Sequence, residues 1–283
     1  MRLTRGAALL LLPAGFALAG LLASPLAIVL VESFRLFIPG RIGSAEGAPF
    51  TLANYVELIL PVYFFYFIDT FRLGFIACLV ALIVAFPIAY YVARLPSGWR
   101  RKAAFGFLIA MMFLSALVRV YSIELTFGPV GFLRQISNLL GVSSNSRTVL
   151  EISVIAGLCH FLIPIAALVL VGTLQNLNPR LVEAAQALGA PRWRAHLSIT
   201  LPLSARGVLS AFLIGYTLSI SAFVVPMILG KGKVLFISNL IYSRFSELAN
   251  YPSGAAISMI MLVASFAIIY VVSRLAAARW GAV

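Results

Sequence analysis

The chain has 283 residues, 62% of them hydrophobic and only 10% charged, with a mean hydropathy of +1.06. An ordinary soluble domain carries roughly 25% charged residues, so that class is excluded and the chain reads as an integral membrane protein. Its net charge of +13 then belongs to membrane topology and calls for no nucleic-acid partner.

A helical crossing takes about 20 apolar residues. Six runs reach that length: 6–31, 70–92, 103–127, 152–174, 207–229 and 255–275. The alternating segments of a membrane barrel are absent. Helices satisfy their own backbone in lipid, so the expected fold is an all-α membrane protein, one domain over 1–283 with six transmembrane helices.

The first run contains Ala17-Leu18-Ala19, which looks like a signal cleavage site. It continues to Val31, beyond a typical signal core, so a retained crossing is expected. External residues 32–69 follow, with turns at Gly40, Gly43, Gly47 and Pro49. Within them, 54–67 carries Tyr55, Tyr63, Phe64, Phe65, Tyr66 and Phe67 and is expected as an interfacial aromatic belt or short helix. In the second run, Ala77, Ala81, Ala85 and Ala89 recur every four residues. Either alanine is merely frequent there, or one face admits a close helix neighbour.

Residues 97–102, SGWRRK, form a short turn before the third run. That run holds Arg119 and Glu124, each costing roughly 2.5–3.5 kcal/mol near the bilayer centre on insertion scales. They are expected to face the interior or the outer interface. Together with Tyr121, Ser219 and Ser221 they are candidates for a translocation path; the alternative for the two charges is packing or anchoring. Cys78 and Cys159 fall inside runs and read as small buried residues. With two isolated histidines, His160 and His196, no metal-ligand cluster is expected. Pro87, Pro164 and Pro226 are candidate kinks or helix ends.

Residues 178–203, NPRLVEAAQALGAPRWRAHLSITLPL, form a long, basic, turn-rich stretch between apolar runs. Asn178 can cap a helix starting at Pro179. Gly189 closes it and Pro191 starts a second, giving two short helices across a glycine bend. The fifth run repeats the small-residue spacing with Gly207, Ala211, Gly215 and Ser219. Segments 128–151 and 230–254 read as external loops. Twelve of the 21 Lys and Arg residues lie on the side of the two termini, 94–102 and 178–206, where Glu183 is the only acid. The positive-inside rule makes that side cytoplasmic.

Glu183-Ala184-Ala185, Gly189, Ile199 and Leu201-Pro202 keep the spacing of the EAA loop, and the chain resembles the permease subunits of bacterial ABC importers. The strings 117–121 (LVRVY), 223–226 (FVVP), 229–232 (LGKG) and 252–256 (PSGAA) resemble the spermidine/putrescine-type, binding-protein-dependent subfamily. The resemblance implies a type I importer permease of MetI-like architecture, multi-pass in the bacterial cytoplasmic (inner) membrane. It also implies that the loop is a coupling helix docked in a groove of a separate ATP-binding ABC subunit. Small Ala184 and Ala185 would allow close approach, and Glu183 would bond to the partner. The plain alternative is an amphipathic hairpin on the membrane surface. Implied partners are the ATPase pair, which would hold ATP and Mg, a second permease protomer that is a different chain, and a periplasmic or extracellular solute-binding protein. The chain itself is expected to hold no cofactor and to be no enzyme, since G-x-x-x-x-G-K-[ST] is absent.

The implied cargo is a small organic solute, a polyamine or related amino compound. One departure bears on it. Where polyamine members are expected to carry Gly-Asp before the residue equivalent to Phe223, this chain has Ser221-Ala222. An opine-like compound or an aminophosphonate is therefore an alternative substrate. The alternative class is an ion-gradient-driven secondary transporter, which would want ionisable coupling groups at mid-membrane or paired broken helices, and apart from Arg119 and Glu124 the runs are almost uncharged; a membrane enzyme would want a convergent catalytic set, whereas both histidines are isolated and the acids scattered.

Overall fold

The computed structural model describes residues 5–45, 47–128, 131, 141, 143 and 145–280. In chain order the helices are α1 (Arg5–Ser33), α2 (Ala53–Glu57), α3 (Pro61–Arg94), α4 (Trp99–Phe113), α5 (Ala116–Phe127), α6 (Arg147–Gln175), α7 (Arg180–Ala187), α8 (Arg192–Leu203), α9 (Ala205–Ile220), α10 (Val224–Leu229), α11 (Ile237–Tyr242), which runs on into a π-helical turn (Ser243–Glu247), and α12 (Tyr251–Trp280). Among the described residues there is no strand, only isolated bridges from Arg35 to Phe50 and from Phe37 to Ser44. Four helices are long and apolar enough to cross a membrane, and six crossings result if each of two sharply bent pairs counts as one.

Two of the runs expected as continuous helices are broken. Run 103–127 is α4 followed by α5, bent by 91°, because Leu114 and Ser115 turn extended with ψ of 129° and 136°. Run 207–229 stops at Ile220 and resumes as α10 after Ser221, Ala222 and Phe223. Elsewhere the helices outrun the expected spans. Residues 61–67 of the expected aromatic belt are the first two turns of α3, and α6 begins at Arg147 inside the expected loop 128–151. The remainder of that loop falls largely outside the described residues. Pro87 and Pro164 sit within unbroken helices.

The expected external loop 230–254 is the largest departure. Lys231 and Gly232 take positive φ and send the chain back, so that Val234, Phe236 and Ile237 are fully buried. Four apolar residues in a row after a Lys-Gly-Lys turn are too costly to leave in water, and burial removes them.

The chain divides into two compact units. The first joins Met1–Phe64 to Leu240–Ala264. Within it, the Asn54 amide donates to the carbonyls of Ser33 and Arg35 at 2.9 Å each, fixing the chain as it leaves α1. Arg244 pairs with Glu57 at 2.8 Å and stands over the Tyr63 ring. From Gly15 onward α1 is almost wholly exposed, with Phe16, Leu21 and Ile28 at 84, 73 and 69%.

The second unit joins Phe65–Asn239 to Ser265–Val283. Its core is built on the two small-residue faces. Ala77, Ala81, Ala85 and Ala89 of α3 are at most 1% exposed, and Gly207, Ala211, Gly215 and Ser219 of α9 are all buried. Ser219 Oγ donates to the Gly74 carbonyl at 3.2 Å, and the Cys78 thiol to that of Phe212 at 3.4 Å. Short side chains let these backbones approach, the usual source of helix association in lipid. At one end of the unit Asp69, Arg72, Arg147 and Glu151 close a ring of ion pairs, with Arg147 to Asp69 and Arg72 to Glu151 both at 2.6 Å.

Candidate functional site

The basic stretch 178–203 folds as a hairpin of two helices. Asn178 Oδ1 accepts the Arg180 N–H at 3.0 Å, capping α7 from just before Pro179, as its side-chain chemistry dictates. The helix ends where Gly189 takes a φ of +90°. There Gly189 and Ala190 donate to the carbonyls of Gln186 and Ala185 at 2.9 and 3.0 Å, a glycine-dependent closure. A Cβ on Gly189 would meet no atom within 4 Å, so the requirement for glycine there is conformational rather than steric. Pro191, with ψ of 151°, launches α8. From His196 to Thr200 that helix widens into a π-helical turn, a feature concentrated at functional sites.

Of the candidate coupling residues, Glu183 and Ala184 are exposed, Ala185 is half-buried and Gly189 forms the bend. Ile199 is half-buried, and Leu201 and Pro202 are exposed at the far end of α8. Only Val182 of α7 is buried. The hairpin also presents Leu188, Trp193, Leu197 and Leu181 at 90, 60, 57 and 45% exposure. Beside it, Trp193, His196, Leu197 and Leu201 line an apolar cleft of about 570 Å³ whose other wall is α3 from Leu79 to Pro87.

The candidate path residues are in different surroundings. Arg119 is 5% exposed. One terminal nitrogen donates to the carbonyls of Met111 and Leu114 at 2.7 and 3.0 Å, so Arg119 satisfies backbone groups that the α4–α5 break leaves free. Its guanidinium carbon lies 5.1 Å from the centre of the Phe161 ring, and its Nε has no partner. Glu124 pairs instead with Lys231 at 2.7 Å. Ser219 is buried in the α3–α9 contact, whereas Tyr121 and Ser221 are exposed; Ser221 Oγ returns to the Thr217 carbonyl of its own helix. Arg119 and the second break nevertheless meet. Together with Phe161, Ala222, Phe223 and Val225 it lines a cavity of about 160 Å³.

The second break is held by residues that sequence reasoning missed. Ser238 Oγ donates to the Ala222 carbonyl at 2.7 Å and the Asn239 amide to that of Phe223 at 3.1 Å. Asn239 Oδ1 also accepts the Phe236 N–H, and Thr70 Oγ1 accepts that of Ile237. The available signal was Ser238-Asn239 straight after four apolar residues, a polar pair that burial would force to find partners.

Residues 85–280 match the family described as binding-protein-dependent transport system inner membrane component. The spermidine/putrescine transport system permease protein PotB of Escherichia coli K12 is 30% identical over 216 residues, covering 76% of this chain and 78% of that one. Its Haemophilus influenzae counterpart is 29% identical over 228 residues, covering 80% and 79%. In fold, the chain resembles a solved bacterial alginate ABC transporter in complex with an alginate pentasaccharide-bound periplasmic protein. The TM-score is 0.74 at 18% identity, over 96% of this chain and 93% of that one.

Proposed function

This chain belongs to the binding-protein-dependent transport system inner membrane component family and is a permease subunit of an ABC importer, and on that footing we propose that its hairpin 178–203 receives the movement of a separate ATPase and drives import of a small organic amino compound. The observation that carries the reading is the hairpin itself. A glycine-hinged pair of short helices offers exposed Glu183 and Ala184 beside exposed Leu188 and Trp193, an acceptor and an apolar surface suited to a protein groove. Closure of two ATPases on ATP would displace the hairpins, and rigid-body tilting of the attached helices would alternate access to the path. The hairpin and both termini then lie in the cytoplasm, and an external binding protein delivers solute to the opposite face. A second permease protomer, a different chain, completes the path.

The test is uptake in a reconstituted importer. Glu183→Ala and Gly189→Val are expected to abolish ATP-dependent uptake while leaving membrane insertion and yield unchanged. Normal uptake in both variants would refute the reading.

The PotB relatives favour a polyamine. A specific observation favours the second reading, an opine-like compound or an aminophosphonate. The cavity between the two breaks holds a buried arginine with no carboxylate in ion-pair distance among the described residues, and Ser221-Ala222 supply no acid. A buried cation attracts an anionic group and repels a polycation. Titration of the cognate binding protein with spermidine, an opine and 2-aminoethylphosphonate separates the two.

A further inference from the structure

Near the hairpin, three side chains outside the EAA positions join α3 to both ends of the loop. Tyr90 and Arg94 lie one turn apart on α3, a spacing that puts them on one face. Arg94 Nη1 donates to the Leu177 carbonyl at 3.0 Å. Leu177 immediately precedes the capping Asn178, so this bond holds the root where the chain enters the hairpin. Leu177 lies two residues past the end of α6, where a cation is also near the negative end of the helix dipole. The same guanidinium lies 5.3 Å from the centre of the Tyr90 ring. Tyr90 in turn meets His196 edge to face, with centroids 4.7 Å apart and planes at 73°. His196 opens the π-helical turn, and its Nδ1 lies 3.1 Å from the hydroxyl of buried Thr200. An unbroken line of contacts thus runs from Leu177 through Arg94, Tyr90 and His196 to Thr200, from one root of the hairpin to the other.

We propose that Tyr90, Arg94 and His196 are positioning residues that clamp both roots of the hairpin to α3, so that displacement of the hairpin moves α3 with it. The inference rests on the hairpin being the receiver of ATPase movement. Without the clamp the hairpin still docks, but its movement is absorbed at its own roots. The signature is loss of coupling rather than loss of hydrolysis.

The experiment uses the whole importer in proteoliposomes and records ATP hydrolysis and solute uptake together. Arg94→Met and Tyr90→Leu are expected to lower solute imported per ATP by at least about fivefold, the lower end of ordinary coupling strengths, with hydrolysis retained. Tyr90→Phe keeps the edge-to-face contact and is expected to behave as the parent. Arg94→Lys keeps the charge at the Leu177 carbonyl and is expected to recover part of the loss. A parallel measurement does not depend on transport: spin labels at exposed Leu188 and Tyr91 should give one narrow distance in the parent and a broadened one in Arg94→Met. Unchanged coupling in both disruptive variants overturns the proposal, as does a proportional fall of uptake and hydrolysis or a distance that stays narrow. If Glu183→Ala and Gly189→Val also leave uptake intact, the assignment of the hairpin fails first.

Discussion

Gly207 offers the sharpest test of the packing on which the second unit depends. A Cβ placed there would lie 2.2 Å from Thr173 Oγ1, 2.6 Å from Thr173 Cβ and 2.7 Å from its Cγ2. Rotation of the threonine moves the outer two atoms but not Cβ. In Gly207→Ala, α6 and α9 must therefore part by about 0.8 Å to bring 2.6 Å up to the 3.4 Å of ordinary contact, and overpacking of that kind costs about 1–3 kcal/mol. Gly172, the neighbour of Thr173 on α6, is the control, since a Cβ there meets nothing within 4 Å. Gly172→Ala is expected to be neutral or to stabilise by up to about 1 kcal/mol through helix propensity alone. The assay is thermal or denaturant unfolding in a fixed detergent or nanodisc. A double-mutant cycle with Thr173→Gly should show a favourable coupling of roughly 1 kcal/mol or more, because it removes the clashing atom. A Gly207→Ala variant as stable as Gly172→Ala, or strictly additive with Thr173→Gly, would refute the reasoning.

Two further outcomes follow from burial. Asn239→Leu leaves the Phe236 N–H buried without an acceptor, which costs about 1–3 kcal/mol and is read as a lower midpoint in the same unfolding assay. Cys78 and Cys159, 1 and 7% exposed, are expected to resist maleimide labelling in the folded chain and to label fully once it is denatured.

How much of this was legible depends on how local the determinant is. The hairpin could be read because Asn178, Pro179, Gly189 and Pro191 each act within a few residues of themselves. The small-residue faces could be read because a spacing of four places their members on one side of any helix, and all eight residues are buried. The helix breaks were harder to read. Neither Leu114-Ser115 nor Ser221-Ala222-Phe223 contains glycine or proline, and the one cue was Pro226, a candidate kink or helix end just past the second break, whose missing N–H leaves the Ala222 carbonyl without a helical donor. The first is sustained by a side chain from the next helix, Arg119, and the second by Ser238 and Asn239, about 16 residues on. The buried course of Val234 to Ile237 was hidden for the same reason, since the Lys and Gly residues before it are loop formers and the partners that make burial possible lie far away in sequence. Arg119 was recognised as expensive in lipid, and the carbonyls it serves explain how that expense is met.

The close contacts along α9 also limit how this part of the molecule can deform. Gly207 abuts Thr173, Gly215 abuts Cys78 and Ser219 abuts Gly74, with a clearance too short for a methyl group at Gly207 and tight for one at Gly215 and Gly74. Turning α9 about its own axis by one residue, about 100°, would bring Val208, Tyr216 or Ile220 to those places and wedge the helices apart. Independent rotation of α9 is thereby opposed, and α3, α6 and α9 are expected to turn together as one lever, with its play at the bend at Ser204 and the gap at Ser221 to Phe223.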